Sequence, residues 1–572
     1  MIYQPIINIA EIFARKDVKN IIISPGSRSA PLTLAFARHP EIKTKVIPDE
    51  RSAAFIGLGM ALTSERPVGL ICTSGSAALN YYPAIAEAYF QKIPLLVLTA
   101  DRPREWIGQQ DGQTIFQNEI FSRHIKKSYE LPSDFDHKDA VWYSERIISE
   151  AINLANEEPK GPVHINIPLR EPLYPTSKEE IKYEEQVKVV SVSGFNLQPS
   201  EIEVESFLNA LLTTDKALIV SGQAWWKAED KQLLDAFTKS TNIPIIGDVL
   251  SNLHSIDSVI NIADVFLTGK KDDELRLLQP DLLITFGDSV ISKNIKLFLR
   301  KCKPKEHWHI QEAGVYPDTF QSVTKIIRLK PVVFFNALLT ALKKKAVNNP
   351  LVGNYQDLWL KENASATVVL KDFFSTKAFS EFEAVKNVIE ELPENCLLHL
   401  SNSMPVRYAN YIGLKGKGRV TVYANRGTSG IDGCSSTAVG TAFTVDKPVV
   451  LLTGDMAFFY DRNAFWHNYP LPNLRVIVLN NHGGGIFRLI DGPADLPERE
   501  EYFETFQKLT AENTAKDFNL DYYFCRERVE LESTLKTFFK PSQKGRILEI
   551  ETDKSINRQV FNDFKSFFKN RN

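Results

Sequence analysis

The chain has 572 residues, of which 43% are hydrophobic, so three or four domains with packed cores are expected. Its 68 Lys and Arg residues nearly balance its 70 Asp and Glu residues, and the net charge of −2 argues against nucleic acid as a partner. The amino terminus shows no secretory signal, and the five cysteines form no Cys-x-x-Cys pair, which predicts a cytoplasmic protein with neither a disulfide framework nor structural zinc.

The first predicted domain is an α/β block over residues 1–178. Helical patterns occur at Ile6–Arg15, Ala53–Thr63 and Ala77–Phe90. Short apolar runs predict strands at Asn20–Ile23, Val46–Ile47, Val68–Cys72, Pro94–Leu98 and Val163–Pro168. This alternation predicts a parallel sheet covered by helices on both faces. A polar stretch at 177–200 is interpreted as a linker.

Polar turns follow four of these strands, at Ser24–Ser29, Asp49–Arg51, Thr73–Ser76 and Thr99–Pro103. In the first turn, backbone N–H groups at a helix start favour an anion, and Arg28 is able to hold a carboxylate or phosphate through two contacts. The alternative for this first turn is an ordinary Pro-Gly turn with a capping Ser. The alternative for Glu50 is an ordinary acidic residue in the first turn of a helix. Polar ends on so many strands of one sheet favour a binding site.

The second predicted domain covers residues 198–345, with strands at Lys216–Val220, Ile243–Ile246 and Asp281–Phe286. It has no G-x-G-x-x-G segment, which argues against a dinucleotide site. The apolar stretch that ends at Leu342 is too short to span a bilayer, so no stable membrane insertion is expected. The lysines that follow it are typical of a solvated helix end, with a membrane-surface patch as the alternative. A polar connection at 343–363 precedes the next block.

The third predicted domain covers residues 370–560, with strands at Cys396–Leu400, Val420–Tyr423, Pro448–Thr453 and Leu474–Leu479. The last two strands run into Gly454-Asp455 and Asn480-Asn481. Because parallel strands present their carboxyl ends at one edge, these polar pairs are expected to meet. A carboxylate, an amide oxygen and a glycine-rich backbone suit Mg²⁺ that carries phosphates. The alternative is two ordinary strand-to-helix turns.

Glu50 after an amino-terminal strand, combined with the polar pairs of the third block, resembles the thiamine diphosphate-dependent enzymes with pyrimidine, middle and pyrophosphate domains. Within that superfamily the resemblance is to the 2-succinyl-5-enolpyruvyl-6-hydroxy-3-cyclohexene-1-carboxylate synthases of menaquinone biosynthesis, and it extends over the whole chain. The segments that carry it are Ser24–Ser29, Asp49–Arg51, Thr73–Ser76, Thr99–Pro103, Asn425–Gly433 and Asn480–Phe487. The resemblance implies three doubly wound parallel-sheet domains of class α/β.

The resemblance further implies thiamine diphosphate and Mg²⁺ (or Mn²⁺) as cofactors. The expected reaction is decarboxylation of 2-oxoglutarate and 1,4-addition of the remaining four-carbon unit to isochorismate. A homodimer or homotetramer is expected, with active sites at the subunit interface. The competing interpretations are another carboligase, such as a relative of acetohydroxyacid synthase, and a non-catalytic nucleotide-binding protein. An enzyme for small apolar keto acids would have little use for the four Arg residues expected around the cofactor, which are Arg28, Arg102, Arg407 and Arg426.

By the same resemblance, Glu50 is the catalytic residue, which hydrogen-bonds the aminopyrimidine ring, while Asp455, Asn481 and the Gly483 carbonyl hold the metal. The remaining cofactor contacts are assigned to Ser74, Gly75, Gly454, Met456 and Ile431, the last as an apolar wedge. Substrate binding is assigned to Ser27, Arg28, Arg102, Gln113, Lys293, Arg407, Arg426, Ile486 and Phe487. The chain departs from the family pattern at Met456, where glycine is usual, and at Asn294, where some members have Arg.

Overall fold

The computed structural model describes residues 3–175, 180–194, 197–345, 354–375, 378–490 and 492–571. Its described part contains three six-stranded sheets in which all pairings are parallel. The predicted α/β class with three parallel sheets is therefore confirmed. The interpretations of 177–200 and 343–363 as linkers, and the domain end at residue 178, fall partly outside the described residues, and the domain boundaries stay predictions.

The first sheet has the strand order β2-β1-β3-β4-β6-β5. Its elements in chain order are α1 Gln4–Arg15, β1 Asn20–Ile23, α2 Ala30–Ala37, β2 Lys43–Val46, α3 Glu50–Ser64, β3 Val68–Cys72, α4 Ser76–Asn80, α5 Tyr82–Phe90, β4 Leu95–Asp101, β5 Ser128–Glu130, α6 Lys138–Asn156 and β6 Val163–Pro168. Strands β3, β4 and β6 are buried along their whole length, as expected for a sheet covered on both faces.

The second sheet has the order β12-β11-β10-β7-β8-β9. Its elements are α7 Glu201–Leu212, β7 Ala217–Ser221, α8 Ala228–Thr241, β8 Ile245–Gly247, β9 Val259–Ile260, α9 Ala263–Phe266, α10 Asp272–Leu278, β10 Leu282–Phe286, α11 Lys293–Lys301, β11 Glu306–Ile310, β12 Lys325–Ile327 and α12 Pro331–Lys344. A long helix, α13 Tyr355–Phe374, follows and packs its apolar face into a core shared by the second and third sheets.

The third sheet has the order β14-β13-β15-β16-β18-β17, the same arrangement as the first. Its elements are α14 Glu381–Glu391, β13 Leu397–Leu400, α15 Met404–Ile412, β14 Thr421–Tyr423, α16 Cys434–Ala442, β15 Val449–Gly454, α17 Asp455–Tyr460, β16 Leu474–Asn480, α18 Ala511–Asp517, β17 Asp521–Cys525, α19 Arg528–Phe538, β18 Arg546–Glu551 and α20 Lys554–Arg571. In each sheet the chain reverses its winding direction beside the first strand, which places a crevice at the carboxyl ends there.

Helices α3 and α16 join the first and third sheets, and glycine permits their close approach. A Cβ atom built on Gly59 would lie 2.0 Å from the carbonyl oxygen of Thr437, and one built on Gly440 would lie 2.0 Å from that of Ile56. A single apolar core extends across this contact from the first sheet to the third. The small residues of α3 therefore bring two helix backbones into direct contact within one chain.

Among the described helices, none is both long and apolar enough to cross a membrane.

Candidate active site

A cavity of about 510 Å³ opens at the carboxyl ends of the third sheet. It is lined by every residue of the third block to which a cofactor, metal or substrate role was assigned: Arg407, Arg426, Ile431, Gly454, Asp455, Met456, Asn481, Gly483, Ile486 and Phe487. The turns after β13, β14, β15 and β16 supply most of these side chains, which is where a parallel sheet binds ligands. The structure thus brings the third-block residues together in one place.

Asp455 begins α17 directly after β15, and its side chain is 2% exposed. The backbone N–H of Gly483 donates to its Oδ2 atom at 2.7 Å, and Gln507 Nε2 donates to the same oxygen at 2.9 Å. Burial raises the pKa of Asp455 to about 6, against the stabilising effect of hydrogen bonds from Gln507, Met456 and Gly483. The two polar strand ends are therefore joined through this carboxylate, as the sequence predicted.

The turn after β16 has a backbone that only glycine suits at its tightest points. A Cβ atom on Gly483 would lie 2.8 Å from the carbonyl oxygen of Glu504, and one on Gly485 would lie 2.6 Å from Asn481 Nδ2. Between Asn481 and Gly483, His482 has a positive φ of 64°, a conformation that costs energy in a non-glycine residue. The turn is therefore held by its surroundings in a strained shape, and His482 is part of that turn.

Two guanidinium groups form the opposite, cationic side of the cavity. Arg426 Nη1 donates to Asn402 Oδ1 at 2.7 Å, and Arg407 Nη1 donates to the carbonyl oxygen of Ser403. Burial and then the neighbouring Arg407 lower the pKa of Arg426. Within the described ranges neither group has a carboxylate at ion-pair distance, and the buried Nε–H of Arg426 has no hydrogen-bond acceptor. Two partly buried cations with no carboxylate in direct contact favour an anionic ligand.

The first sheet carries a second group of predicted residues at its own carboxyl ends. Arg102 Nη1 donates to Ser74 Oγ at 2.7 Å and to the carbonyl oxygen of Gln113 at 3.3 Å, while its Nε–H pairs with Asp111. The backbone N–H of Gly75 donates to Gln117 Oε1 at 2.7 Å. The turns after β3 and β4 are thereby fixed to one another.

Ser27 and Arg28 lie in the turn after β1, at the same edge. Ser27 Oγ is 3.0 Å from the hydroxyl of Tyr174, and Arg28 Nη1 donates to the carbonyl oxygen of Leu169 at 3.0 Å. Burial and then the neighbouring Arg102 lower the pKa of Arg28. The first sheet therefore gathers two cations at its edge, as the third sheet does.

Glu50 is the first residue of α3, and Asp49 caps the helix by accepting a hydrogen bond from Ser52 N at 3.2 Å. The Glu50 side chain is half-buried, and Asn80 Nδ2 donates to its Oε2 atom at 3.3 Å. Neither Glu50 nor any other predicted residue of the first block lines the cavity of the third sheet. Within one chain, the two groups of predicted residues remain separate.

Comparisons with known proteins identify the chain over nearly its whole length. The N-terminal TPP binding domain of thiamine pyrophosphate enzymes matches residues 8–125, and the middle domain of thiamine pyrophosphate enzymes matches residues 196–400. The 2-succinyl-5-enolpyruvyl-6-hydroxy-3-cyclohexene-1-carboxylate synthase of Cytophaga hutchinsonii is 45% identical over 563 residues, 98% of either chain. The synthase of Flavobacterium johnsoniae is 39% identical over 98% of this chain and 98% of its own. That of Porphyromonas gingivalis is 37% identical over 98% of this chain and 95% of its own.

The chain belongs to the 2-succinyl-5-enolpyruvyl-6-hydroxy-3-cyclohexene-1-carboxylate synthase family. It is a thiamine diphosphate-dependent enzyme. The family resemblance read from the sequence is confirmed, and the synthase interpretation is supported over an acetohydroxyacid synthase-like carboligase or a non-catalytic protein.

The cavity residues of this synthase-family member fit a diphosphate held through a divalent cation. Asp455, Asn481 and Gly483 offer a carboxylate, an amide oxygen and a backbone carbonyl, all hard oxygen ligands that suit Mg²⁺. A Cβ atom on Gly454 would meet no atom within 4 Å, so open space lies directly beside this strand end. The oxygen ligands and the open space beside Gly454 therefore both suit a diphosphate held through a divalent cation.

Lys293 is the one predicted substrate residue from the second block. It begins α11 with an exposed side chain and does not line the cavity. Asn294 beside it donates to the carbonyl oxygen of Asp264 at 2.8 Å and to Thr268 Oγ1 at 3.0 Å, so it serves the internal structure of that block. Burial and then Arg426 lower the pKa of Lys296. A substrate role for Lys293 stays a prediction.

Sequence reasoning missed several polar residues at the cavity. Asn402 and Ser403 follow β13 and line it, and the strand-end rule applied to the other turns would have found them. Glu381 also lines it, from the start of α14, and donors from Asn481 and Tyr408 reach its carboxylate. Burial raises the pKa of Glu381 to about 7, and a bound cation would favour the ionised form. No local motif marks Glu381, because its partners are distant in sequence.

Proposed function

We propose that the protein catalyses the decarboxylation of 2-oxoglutarate and the 1,4-addition of the remaining four-carbon unit to isochorismate, giving 2-succinyl-5-enolpyruvyl-6-hydroxy-3-cyclohexene-1-carboxylate in menaquinone biosynthesis. The observation that carries this proposal is the third-sheet cavity, which combines an oxygen-only donor set with two guanidinium groups that have no carboxylate partner among the described residues. Both substrates carry two carboxylates, and such a pocket requires fixed cations.

When bound, thiamine diphosphate supplies the nucleophilic carbon and the electron sink that decarboxylation of a 2-oxo acid requires. Asp455, Asn481 and the Gly483 carbonyl would hold Mg²⁺ or Mn²⁺ against its diphosphate, beside Gly454 and Met456. Ile431, Ile486 and Phe487 line the cavity with apolar side chains, and Ile431 would be the apolar wedge against the cofactor. This part of the site binds and orients the cofactor and keeps water from it.

The substrate carboxylates are assigned to the cations at the two sheet edges. Arg407 and Arg426 belong to the cavity, and Arg28 and Arg102 lie at the edge of the first sheet with Ser27, Gln113, Ser74 and Gly75. Glu50 is proposed to hold a proton at a ring nitrogen of the aminopyrimidine, and so to direct proton removal from the thiazolium carbon. Its position at the amino end of α3 keeps its carboxylate near the helix dipole.

We further propose a homodimer, alone or paired into a homotetramer, in which the first block (1–178) of one subunit completes the cavity of the third block (370–560) of the other. This arrangement is supported by the separation of the two groups within one chain. A 1:1 mixture of Glu50→Gln and Asp455→Ala subunits should regain roughly a quarter of the parent activity after random exchange, because each mixed dimer keeps one intact site. Absence of recovery after verified subunit exchange would contradict a shared site.

The decisive experiment is an assay of the purified protein with isochorismate, 2-oxoglutarate, thiamine diphosphate and Mg²⁺. We expect carbon dioxide release and isochorismate consumption to require all four components. Pyruvate, which lacks the distal carboxylate, should be a poor donor. Equal use of pyruvate and 2-oxoglutarate would replace the proposed reaction with that of a general carboligase. We place the enzyme in the cytoplasm, an assignment that its unpaired, buried cysteines support.

A further inference from the structure

Glu381 is a buried carboxylate whose place in the cavity has no evident structural cause. It is 3% exposed and lines the cavity from the first turn of α14. The helix start is capped by Ser380, whose hydroxyl accepts from Glu383 N, so the Glu381 carboxylate is not needed as a cap. Among the described residues no Lys, Arg or His pairs with it, and its carboxylate accepts hydrogen bonds from Asn481 and Tyr408. Burying a carboxylate without a cation is costly, which indicates a role in the liganded protein.

The strongest contact of this carboxylate is with Asn481. The Nδ2 atom of Asn481 donates to Glu381 Oε1 at 2.6 Å, while the Tyr408 hydroxyl reaches Oε2 only at 3.4 Å. The backbone N–H of Glu381 donates to Asn557 Oδ1 at 2.9 Å and so ties the start of α14 to α20. Glu381 therefore approaches Asn481 from a fixed helix rather than from a mobile loop.

The contact decides which atom of the Asn481 amide is free. Asn481 donates to a carboxylate oxygen of Glu381 through Nδ2, and an amide has one donating and one accepting end. With Nδ2 directed to Glu381, a reversed amide would bring two oxygens against each other. The Oδ1 atom of Asn481 is thereby left for another partner. Groups that orient a metal ligand through a hydrogen bond commonly increase the affinity of the site for its metal.

We propose that Glu381 is a positioning residue that fixes the Asn481 amide with Oδ1 available to the divalent cation. The inference rests on the proposed function, because it takes Asn481 as a metal ligand. Glu381 itself is outside the donor set, and it acts through the amide. The proposal thus gives a role in cofactor binding to Glu381 at the start of α14, which lies outside all the polar turns that follow strands.

The test measures Mn²⁺ affinity in the presence of thiamine diphosphate, from the electron paramagnetic resonance signal of free Mn²⁺. Glu381→Ala should weaken Mn²⁺ binding about 10- to 100-fold. Glu381→Gln should lose less, since its amide oxygen still accepts from Asn481 in one of two orientations. Tyr408→Phe is the matched control, and it should bind Mn²⁺ like the parent because it removes only the longer contact. Parent-like affinity in Glu381→Ala would overturn the proposal.

A second background separates positioning from simple structural damage. In Asn481→Asp the ligand has two equivalent oxygens and needs no orientation, so adding Glu381→Ala should cause no further loss of Mn²⁺ affinity, and removing a like charge beside the introduced carboxylate should favour its ionised, metal-binding form. An equally large loss in both backgrounds would show a merely structural role and overturn the proposal. Asp455→Ala distinguishes the two levels of inference. If Asp455→Ala and Glu381→Ala both keep the Mn²⁺ affinity of the parent, the proposed metal site is wrong. If Asp455→Ala loses affinity and Glu381→Ala does not, only the proposed role of Glu381 is wrong.

Discussion

The first and third sheets have the same strand order, yet their equivalent strands end in different chemistry. The turn after β3 presents Ser74 and Gly75, and the equivalent turn after β15 presents Gly454 and Asp455. The turn after β4 carries Arg102, where the turn after β16 carries Asn481 and a glycine run. A shared strand order is what duplication of one ancestral block would produce. The fold fixes where a ligand meets the sheet, and the turn residues decide which ligand it is.

The carboxyl-end sides of the first and third sheets, here called the first and third edges, also differ in how enclosed they are. The third sheet forms a cavity of its own, whereas the first presents its residues outside that cavity. The third edge thus suits the proposed metal and diphosphate, and the first suits the proposed contribution to a site completed by another subunit. This division of roles is open to test, one edge at a time.

The largest effect is expected from Asp455→Ala at the third edge. Loss of the charged metal ligand leaves the diphosphate unneutralised, so binding of thiamine diphosphate should fall below detection. Isothermal titration calorimetry with Mg²⁺ present measures this directly. Asp446→Ala, at an exposed acid of the same block, is the matched control and should bind like the parent. Unchanged affinity in Asp455→Ala would remove Asp455 from the site.

Glu50→Gln at the first edge should separate activation from binding. Cofactor affinity should stay close to that of the parent, since the metal contacts lie at the other edge. Hydrogen–deuterium exchange at the thiazolium carbon should slow by orders of magnitude when followed by NMR. Glu41→Gln, an exposed acid that pairs with Lys19, serves as the control. A normal exchange rate in Glu50→Gln would refute its activating role.

Arg407→Ala and Arg426→Ala should each cost about 2–5 kcal/mol of substrate binding, because each leaves a desolvated carboxylate unpaired. The expected result is a strongly raised apparent KM for 2-oxoglutarate or isochorismate with unchanged thiamine diphosphate affinity. Steady-state kinetics and calorimetry together measure the two quantities. Arg419→Ala, an exposed arginine of the same block, is the control. Variants that behave like the parent would argue against carboxylate binding at this edge.

A smaller effect is expected from Glu87→Gln, which alters a contact between the two edges. Glu87 is buried in α5 and accepts hydrogen bonds from Gly427 N and Thr428 N, both at 2.7 Å, next to Arg426. Gln would leave one of these N–H groups unpaired at a cost of about 1–3 kcal/mol. We expect a lower melting temperature and a modest rise in KM. Thr428→Val, which removes one hydroxyl donor, should have a lesser effect; an unaltered melting temperature in Glu87→Gln would contradict this account.

The buried strands were largely predictable from sequence. Asn20–Ile23, Val68–Cys72 and Val163–Pro168 agree residue for residue with β1, β3 and β6, because apolar runs bounded by polar residues are typical of strands covered on both faces. The edge strands β5, β9, β12 and β17 were not predicted, since they are short or partly polar, and the interior strands β11 and β18, which mix apolar with charged residues, were not predicted either. The single helix expected at Ala77–Phe90 is divided into α4 and α5, and Pro83, which lacks a backbone N–H, lies in the first turn of α5.

The candidate site was predictable wherever its residues directly follow strands. Asp455 and Asn481 were identified in this way, and the hydrogen bond between Asp455 and Gly483 joins the two turns as expected. Glu381 was not, because its contact with Asn481 joins elements 100 positions apart, and only the folded chain creates it. Local patterns therefore located the turns that line the cavity but not Glu381, which reaches Asn481 from a distant helix.

The glycine contact between α3 and α16 has a consequence for redesign of this enzyme. Because the two helix backbones touch at Gly59 and Gly440, the spacing between the first and third sheets is set by main-chain atoms. Larger side chains there would drive the sheets apart, and no smaller residue exists to bring them closer. Attempts to widen or narrow the cavity should therefore be directed at the turn side chains that line it, such as Phe487, and should leave this helix pair unchanged.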